Sequence, residues 1–345
     1  MCAGRATMCA MRAAVLQHAG EPLAVIDAAD PDAGPGELVL RVEACGICGS
    51  DLHLAQTYSL PGLVLGHEFC GTVAAIGPGV EGWEEGDRAA GLPLATCGRC
   101  VACLSGRPRK CERAAMIGIE RPGAYAEYVA LPAASAHRLP STLEPAHGAL
   151  VEPLAVALHA IRRAGFEPGE DALVLGGGPV GLAVALWLRA LGAREVLVSD
   201  PVASRRALAE QVGASATVDP AASDVASAFV ALAGTSPGLV IECVGVPGLL
   251  QHAVDVAAVD ARVVIAGVCM APDPLTPLTA MMKELDLRFA YYYTEADFRA
   301  TIDHLDRERI DPLPLVTDEV DLEEAPDRFE ALKHPTDECK VLITP

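Results

Sequence analysis

The sequence predicts an α/β protein of two domains, an all-β domain followed by a doubly wound parallel sheet. The chain has 345 residues, which is too long for one ordinary hydrophobic core. Residues up to about 140 form short apolar runs separated by Gly and Pro turns, as in a β-barrel or sandwich. From about residue 150, near-continuous apolar runs alternate with helical patterns, which is typical of buried parallel strands.

The composition of the chain disfavours several classes of function, among them binding to nucleic acids and to membranes. Hydrophobic residues make up 51% of the chain and charged residues 21%, as expected of a folded globular protein. The formal net charge of −20 disfavours nucleic acids and anionic membranes as partners, because no basic face is available to bind phosphates. The apolar run 172–188 contains Gly and Pro near its centre, which favours a strand, turn and helix over a membrane span. No secretory signal pattern is present, and we expect a cytoplasmic protein.

The all-β domain begins with a strand pattern at Met11 and continues with strands over 37–42, 64–68 and 71–77. The strand over 37–42 leads into the segment 44–71, which is rich in potential metal ligands. This segment contains thiols, imidazoles, carboxylates and a hydroxyl, namely Cys45, Cys48, Ser50, Asp51, His53, His67, Glu68 and Cys70. Thiolate and imidazole hold a borderline-soft metal ion such as zinc, and a carboxylate tunes it, so the segment predicts a metal site.

A second group of cysteines follows with the spacing C-x2-C-x2-C-x7-C. Its members are Cys97, Cys100, Cys103 and Cys111. Four thiolates brought together by tight turns make a closed tetrahedral site, which is the structural type of zinc site. The rival interpretation is an iron–sulfur cluster, but the bacterial ferredoxin motif closes with C-x3-C-P, whereas here the last gap is longer and no proline follows. The spacing therefore predicts a structural zinc lobe over 95–113.

The second domain carries a glycine fingerprint between a strand and a helix. The strand 172–175 is followed by Gly176-x-Gly178-x-x-Gly181 and by a helical pattern, and the next strand ends in Asp200. The glycines permit a tight turn, close approach of the backbone to a pyrophosphate, and close packing of the helix on the strand. The helix N-terminus supplies partial positive charge for the phosphates. This context predicts a dinucleotide-binding Rossmann domain.

The acidic residue of the fingerprint indicates which dinucleotide binds. Asp200 is placed to accept hydrogen bonds from the adenosine ribose hydroxyls, and it would repel a 2′-phosphate, which favours NAD over NADP. Arg205 and Arg206 follow closely in the sequence and weaken this preference.

Further apolar runs extend the second domain. We expect a helix to begin at Glu152, with Pro153 tolerated in its first turn. The segment 287–293 is predicted to be the last strand of the parallel sheet, and 294–309 a helix that packs back towards the first domain.

These residues together resemble the zinc-containing medium-chain dehydrogenases, the family of alcohol, polyol and threonine dehydrogenases, over essentially all of 11–345. Gly66-His67-Glu68-x-x-Gly71 is similar to the zinc signature of that family, and the lobe and glycine fingerprint follow in the family's order. The resemblance implies a GroES-like β-barrel catalytic domain over 11–155 together with 294–345. It implies a Rossmann NAD-binding domain over 156–293, and a homodimer or homotetramer.

The resemblance also implies the ligands of a catalytic zinc ion. Cys48 and His67 match the family's metal ligands. Glu68 is expected either to bind the metal or to lie near it and swing onto it. Glu152 resembles the polyol dehydrogenase branch, where a Glu is the third ligand or holds the zinc-bound water. The sequence leaves the third ligand open between Glu68 and Glu152.

The resemblance to this family also implies a path for the substrate proton and the residues that contact the cofactor. Ser50 is expected to accept the substrate proton and pass it through the cofactor ribose to His53 and water. Asp51 is expected to orient His67. The expected cofactor-binding residues are Gly176, Gly178, Pro179, Val180, Gly181, Asp200, Arg205 and Val244.

The implied activity is zinc-dependent hydride transfer between NAD and a primary or secondary alcohol or a polyol, with one catalytic and one structural zinc ion per chain. Polyol or secondary-alcohol oxidation is the leading interpretation, and the substrate itself stays open. One alternative is a zinc-free enone or quinone reductase of the same fold, which Cys48, His67 and the four-cysteine lobe disfavour. Another is a non-catalytic protein that binds zinc and nucleotide, which the intact pair of Ser50 and His53 disfavours.

Overall fold

The computed structural model describes residues 10–57, 61–334 and 337–345. The strands, in chain order, are β1 (Ala10–Leu16), β2 (Ala24–Ala29), β3 (Glu37–Gly46), β4 (Leu63–Val64), β5 (Glu68–Ile76), β6 (Arg88–Gly91), β7 (Leu94–Ala95), β8 (Ala115–Met116), β9 (Tyr128–Pro132), β10 (Ala136–Arg138), β11 (Ala172–Leu175), β12 (Val196–Ser199), β13 (Ala216–Val218), β14 (Leu239–Glu242), β15 (Arg262–Ile265), β16 (Asp286–Phe289), β17 (Val316–Asp321) and β18 (Lys340–Thr344). The α-helices are α1 (Gly49–Thr57), α2 (Val101–Leu104), α3 (Pro145–Ala164), α4 (Pro179–Ala190), α5 (Ala203–Gln211), α6 (Val225–Ala233), α7 (Leu249–Val256), α8 (Pro277–Met282), α9 (Glu295–Asp306) and α10 (Ala325–Ala331).

The chain forms two compact units. The first comprises Met1–Glu152, Val316–Thr336 and Lys340–Pro345, and the second comprises Pro153–Leu315 and Asp337–Cys339. The first unit is therefore built from stretches that are separated in the sequence by nearly the whole of the second.

The first unit is built on β-sheets. Its largest sheet has the strand order β10-β6-β5-β3-β18-β17, with β9 also paired to β3. A smaller sheet has the order β2-β1-β4, and β7 pairs with β8. Strand β3 is the longest strand of this unit, and it pairs with β5, β9 and β18. The predicted all-β architecture of the first domain is confirmed.

The core of the first unit follows from the alternation of side chains along its strands. Successive residues of a strand point to opposite faces, so alternate apolar residues share one face. Leu38, Leu40 and Val42 of β3 belong to one buried cluster, together with Phe69 and Tyr125. Burying this apolar surface is the main stabilising contribution to the unit.

The second unit contains one sheet in which all pairings are parallel, in the order β13-β12-β11-β14-β15-β16. Every residue of β11, β12 and β14 is buried, as expected where helices cover both faces of a sheet. Across the sheet, the strand numbers fall from β13 to β11 and then rise from β14 to β16, so the strand order changes direction between β11 and β14. In open sheets of this kind, ligands bind outside the carboxyl ends of the strands at that reversal. The predicted doubly wound parallel sheet is confirmed.

Several local expectations differ from the structure. The strands predicted over 64–68 and 71–77 are instead β4, which ends at Val64, and β5, which continues without a break over Glu68–Ile76. The helix predicted to begin at Glu152 is α3, which begins at Pro145, so that Pro153 lies inside it. Pro145, which the sequence-based prediction did not consider, is the proline that occupies the first turn of the helix. The strand predicted over 287–293 is β16, which ends at Phe289, and Tyr292 has a φ of +59°, a backbone conformation that a strand does not accommodate.

The segment 294–315 also differs from the expectation, because it belongs to the second unit rather than the first. The cause is a buried contact between α9 and α3. Asp297 of α9 is bonded to the Nδ1 of His159 at 2.9 Å and accepts a hydrogen bond from Arg162 at 2.5 Å. Burial alone would raise the pKa of Asp297, but the hydrogen bonds with His159 and Thr294 hold it well below its ordinary value.

No helix in the described part of the chain is long and apolar enough to span a membrane.

Candidate metal centres and dinucleotide site

The first candidate metal centre forms where β3 ends and β5 begins. The antiparallel register sets Gly46 of β3 opposite Glu68 of β5. Cys48 follows β3, and His67 precedes β5 directly. Ligand atoms of Cys48, His67 and Glu68 therefore converge, and all lie within 4.8 Å of one another. Strand pairing thus brings together residues that the sequence separates.

A buried carboxylate fixes the orientation of His67. Asp51 is fully buried, and its Oδ1 lies 3.2 Å from the Nδ1 of His67. Its Oδ2 accepts hydrogen bonds from the Tyr125 hydroxyl at 2.8 Å and from the Cys48 backbone amide at 3.1 Å. Because Nδ1 is directed at Asp51, Nε2 is the ring nitrogen that can bind a metal.

Electrostatics reinforce this arrangement. Burial alone would raise the pKa of Asp51, but the adjacent His67 ring and the hydrogen bonds that Asp51 accepts hold it below its ordinary value. Burial acts to lower the pKa of His67, but Asp51 raises it well above its ordinary value. Asp51 therefore remains a carboxylate despite its burial.

Two residues predicted for the proton path lie on α1. The Ser50 hydroxyl donates a hydrogen bond to the Cys48 sulfur at 3.2 Å, and its oxygen lies 3.4 Å from the Nε2 of His67. The structure therefore brings Ser50 to the candidate metal centre. His53 lies one turn further along α1, and it is exposed to solvent.

The two carboxylates considered for the third ligand are placed differently. Glu68 is buried, and both of its oxygens accept hydrogen bonds from Lys340, at 2.8 and 2.6 Å. Glu152 is buried in α3. Among the described residues, its carboxylate does not belong to the group of ligand atoms that converge within 4.8 Å. The role of Glu152 stays a prediction.

Two further thiols of the ligand-rich segment are placed as packing residues. Burial raises the pKa of Cys45 well above its ordinary value and that of Cys70 to about 12. Both side chains are fully buried. A thiol that resists deprotonation is a poor metal ligand, because the thiolate is the form that binds.

The second candidate metal centre is formed by Cys97, Cys100, Cys103 and Cys111, whose sulfur atoms all lie within 4.8 Å of one another. The distances between sulfurs are 3.5 Å for Cys100 and Cys103, 3.5 Å for Cys97 and Cys111, and 4.0 Å for Cys97 and Cys103. Four sulfurs bound tetrahedrally to zinc at about 2.3 Å would lie about 3.8 Å apart. A hydrogen bond from the Arg99 backbone lowers the pKa of Cys97 to about 6, which favours the thiolate.

Both donor sets fit zinc. The four-sulfur cluster offers a closed tetrahedron, and the group around Cys48 offers a thiolate, an imidazole and a carboxylate, one fewer than the four ligands of a closed site. The four-sulfur arrangement is typical of structural zinc, and the arrangement around Cys48 is typical of zinc that also binds a substrate.

The glycine fingerprint lies between β11 and α4, as the sequence predicts. Gly176 has a φ of +100°, and a Cβ there would lie 2.5 Å from Val244. A Cβ at Gly181 would lie 1.9 Å from the Gly176 carbonyl oxygen. Gly178 caps α4 and a Cβ there would meet no atom within 4 Å, which leaves space at the helix N-terminus where a phosphate can approach. Pro179 follows at the first position of α4, where its missing N–H costs no hydrogen bond.

Asp200 lies at the end of β12, beside the fingerprint. Its side chain accepts hydrogen bonds from the backbone amides of Gly177 at 2.7 Å and Val202 at 2.8 Å. Each carboxylate oxygen keeps further acceptor capacity, so these bonds leave Asp200 able to bind hydroxyl groups. Arg206 donates to the Asp200 carbonyl oxygen at 2.8 Å and pairs with Asp219. The buried Nε of Arg205 makes no hydrogen bond within the described residues.

Three residues at these sites were absent from the sequence-based prediction: Tyr125, Lys340 and Glu242. Tyr125 and Lys340 contact Asp51 and Glu68, whereas Glu242 accepts hydrogen bonds from the amides of Val244 and Gly245 at 2.6 and 2.8 Å. Lys340 offered a usable signal, because a lysine in the otherwise apolar run 339–343 needs a buried partner.

Comparisons with known proteins agree with this architecture. Residues 34–141 match the alcohol dehydrogenase GroES-like domain family. Residues 179–307 match the zinc-binding dehydrogenase family. The matches fall in the first and second units respectively, so each family corresponds to one of them.

Similar proteins cover most of the chain. A 2-dehydro-3-deoxy-L-galactonate 5-dehydrogenase of Pseudoalteromonas atlantica is 37% identical over 82% of this chain and 84% of its own length. A zinc-binding dehydrogenase structure from Sinorhizobium meliloti 1021, bound to NADP, has a TM-score of 0.90 and 38% identity, covering 98% of this chain and 100% of that one. An alcohol dehydrogenase from Escherichia coli CFT073 with NADH has a TM-score of 0.90 and 28% identity, covering 97% and 99%. The chain belongs to the family of zinc-containing medium-chain alcohol and polyol dehydrogenases.

Proposed function

We propose that this chain oxidises a secondary alcohol or a polyol with NAD, at a zinc ion held by Cys48 and His67. The convergence of Cys48, His67 and Glu68 beside the Ser50 hydroxyl carries the proposal. The first unit is the catalytic domain in this proposal, and the second binds the dinucleotide. Relatives act on sugar-acid and alcohol substrates, which supports the polyol or secondary-alcohol class.

Each residue of the site has a separate role in the proposed oxidation. Zinc, when bound, supplies Lewis-acid stabilisation of negative charge on the substrate oxygen. Asp51 holds the His67 ring so that Nε2 is directed at the ligand group. Ser50 Oγ accepts the proton of the substrate hydroxyl. The Ser50 hydroxyl gives up its own proton as it accepts this one, and His53, which is exposed on the same helix, passes a proton from the relay to water.

The second zinc ion is structural. Cys97, Cys100, Cys103 and Cys111 use all four tetrahedral positions, so no position remains for a substrate. Their role is to hold together a loop that contains only a short helix and a 3-10 turn.

The test of the proposal is a panel of alcohols, polyols and amino alcohols, assayed for NADH formation with protein of measured metal content. We expect two zinc ions per chain and NADH formation with secondary alcohols or polyols. Protein that holds no zinc, or that reduces enones or quinones without it, would refute the proposal. The same result would favour a zinc-free reductase.

The NAD preference rests on Asp200. Replacing Asp200 with Ala removes both the ribose acceptor and the negative charge that disfavours a 2′-phosphate. We expect the ratio of kcat/KM for NAD to that for NADP to fall by roughly tenfold to a hundredfold, which corresponds to about 1.4 to 2.7 kcal/mol. Steady-state kinetics with both cofactors measure it, and Asp219→Ala provides a nearby acidic control. An unchanged ratio would contradict the assignment.

We also propose that the protein is a cytoplasmic homo-oligomer. Large apolar side chains are exposed in α8 and near the edge strand β16, including Met281, Met282, Phe289 and Tyr291. An edge strand beside exposed apolar side chains is a common site of subunit association. Light scattering after size exclusion should give a dimer or tetramer, and Phe289→Glu should weaken it. A monomer at micromolar concentration would contradict this part of the proposal.

A further inference from the structure

A buried lysine lies beneath the candidate metal centre. Lys340 begins β18 and is 2% exposed. The register of β18 on β3 sets Leu342 opposite Gly46, and the Ile47 amide donates to the Val341 carbonyl at 2.9 Å. The last strand of the first unit is thus bonded directly to the backbone that leads to Cys48.

The ammonium group of Lys340 has a complete set of partners. It donates to the Ile47 carbonyl oxygen at 2.9 Å and to the two oxygens of Glu68 at 2.8 and 2.6 Å. An ammonium has three donors, so all of them are used. Glu68 is 1% exposed, and a buried charge of this kind is strongly destabilising unless it is paired.

The absence of a side chain at Gly46 leaves room for Glu68 in this position. A Cβ at Gly46 would lie 2.1 Å from Oε2 of Glu68, so only glycine leaves space for the carboxylate in this position. Glu68 also lies within 4.8 Å of the ligand atoms of Cys48 and His67. The same carboxylate is therefore within reach of the metal and fully engaged with Lys340.

We propose that Lys340 is a positioning residue that holds Glu68 off the metal and so reserves one coordination position for the substrate oxygen. This inference rests on the proposed function. Lys340 binds both oxygens of Glu68 through charge-assisted hydrogen bonds, so moving one oxygen onto a metal ion would stretch or break a hydrogen bond to a buried ammonium group. Lys340 also balances charge. The positive charges of the zinc ion and Lys340 together equal the negative charges of the Cys48 thiolate, Asp51 and Glu68.

The decisive variant is Lys340→Met, which removes the ammonium group and keeps a long apolar side chain in β18. We expect Glu68 to become a metal ligand in this variant. In cobalt-substituted protein, the ligand-field absorption should weaken as a four-coordinate site gains an oxygen ligand. Release of the metal to a chelator should slow by roughly tenfold, the scale on which neighbours of metal ligands act.

Three further variants separate positioning from a general effect on folding. Lys340→Arg keeps the charge and should retain the wild-type cobalt spectrum. The double variant Lys340→Met with Glu68→Gln should restore it, because the amide is a weaker ligand. Lys333→Met removes a lysine of the same unit that pairs with Glu330, and it should change neither spectrum nor release rate.

Glu68→Gln alone provides a test that does not require Lys340→Met to fold. If Glu68 is held off the metal, this variant keeps the ligand-field spectrum of the wild-type cobalt protein. A spectrum that changes in Glu68→Gln would show that Glu68 is already a ligand and would overturn the inference, as would an unchanged spectrum in Lys340→Met. Failure of the wild-type protein to bind zinc at Cys48 or to oxidise any alcohol would instead count against the proposed function.

Discussion

The two candidate metal centres of the first unit are built in opposite ways. The four-cysteine cluster takes all of its ligands from the short lobe around α2, and the atoms that hold it lie close in the sequence. The group around Cys48 draws on the ends of two strands, with Tyr125 and Lys340 behind it. The four-cysteine cluster is specified by the spacing of its residues, and the Cys48 centre is specified by the pairing of strands. We expect the two to fail differently when a ligand is removed.

The largest expected effect is the loss of activity in Cys48→Ser. This change removes the thiolate of the Cys48 centre and the sulfur that accepts the Ser50 hydrogen bond, while the four-cysteine cluster is untouched. We expect kcat/KM to fall by on the order of 10³-fold or more, since the metal provides several kcal/mol of charge stabilisation. NADH formation, metal analysis and circular dichroism measure the outcome.

The matched control for that variant is Cys45→Ser, which alters a buried thiol three residues away that is not part of either ligand group. It should keep both zinc ions. Wild-type kcat/KM in Cys48→Ser would contradict the ligand assignment.

A ligand of the four-cysteine cluster should affect stability before chemistry. Replacing Cys100 with Ser opens the tetrahedron, so the structural zinc ion is lost and the loop that it holds is released. We expect the free energy of unfolding to fall by about 4 kcal/mol, in the range seen when a structural metal is lost. Thermal melting with zinc quantification measures this change. An unaltered melting temperature with two bound zinc ions would refute the structural role of the cluster.

The smallest of these effects is expected in Asp51→Asn. The amide keeps the shape of the carboxylate but lacks the charge that fixes the His67 tautomer. Outer partners of metal ligands usually contribute 10-fold to 100-fold to metal affinity, and we expect about that loss at the Cys48 centre alone. Competition with a chelator measures it, and zinc retention in the four-cysteine cluster is the internal control. Equal weakening of both centres would indicate general destabilisation instead.

The same contrast explains how much of the molecule the sequence could predict. The four-cysteine cluster and the glycine fingerprint are local patterns, and their residues lie where the spacing indicates. His67 and Asp51 were predicted together because they belong to one segment, although the distance between them depends on the turn before β5. Lys340 follows Glu68 by 272 residues, and no local pattern relates a position in β18 to one in β5.

Long-range packing also accounts for the expectations that differ from the structure. The assignment of 294–315 to the first domain fails because the buried contact of Asp297 with His159 joins residues 138 apart. The predicted start of α3 at Glu152 is wrong because the helix begins seven residues earlier, at Pro145, and continues through Pro153. Patterns of hydrophobicity identify the elements, but the partners of buried charges depend on three-dimensional packing.

The position of β18 in the chain has a consequence for the order of folding during synthesis. Strand β18 pairs with β3, yet it emerges from the ribosome only after the whole of Pro153–Leu315. The second unit is nearly continuous and can fold while part of the edge of β3 is still open, since domains fold as units during translation. An open strand edge is a template for pairing with other chains. The nascent first unit therefore passes through a stage that is prone to aggregation, and chaperone binding to the open edge of β3 would protect it.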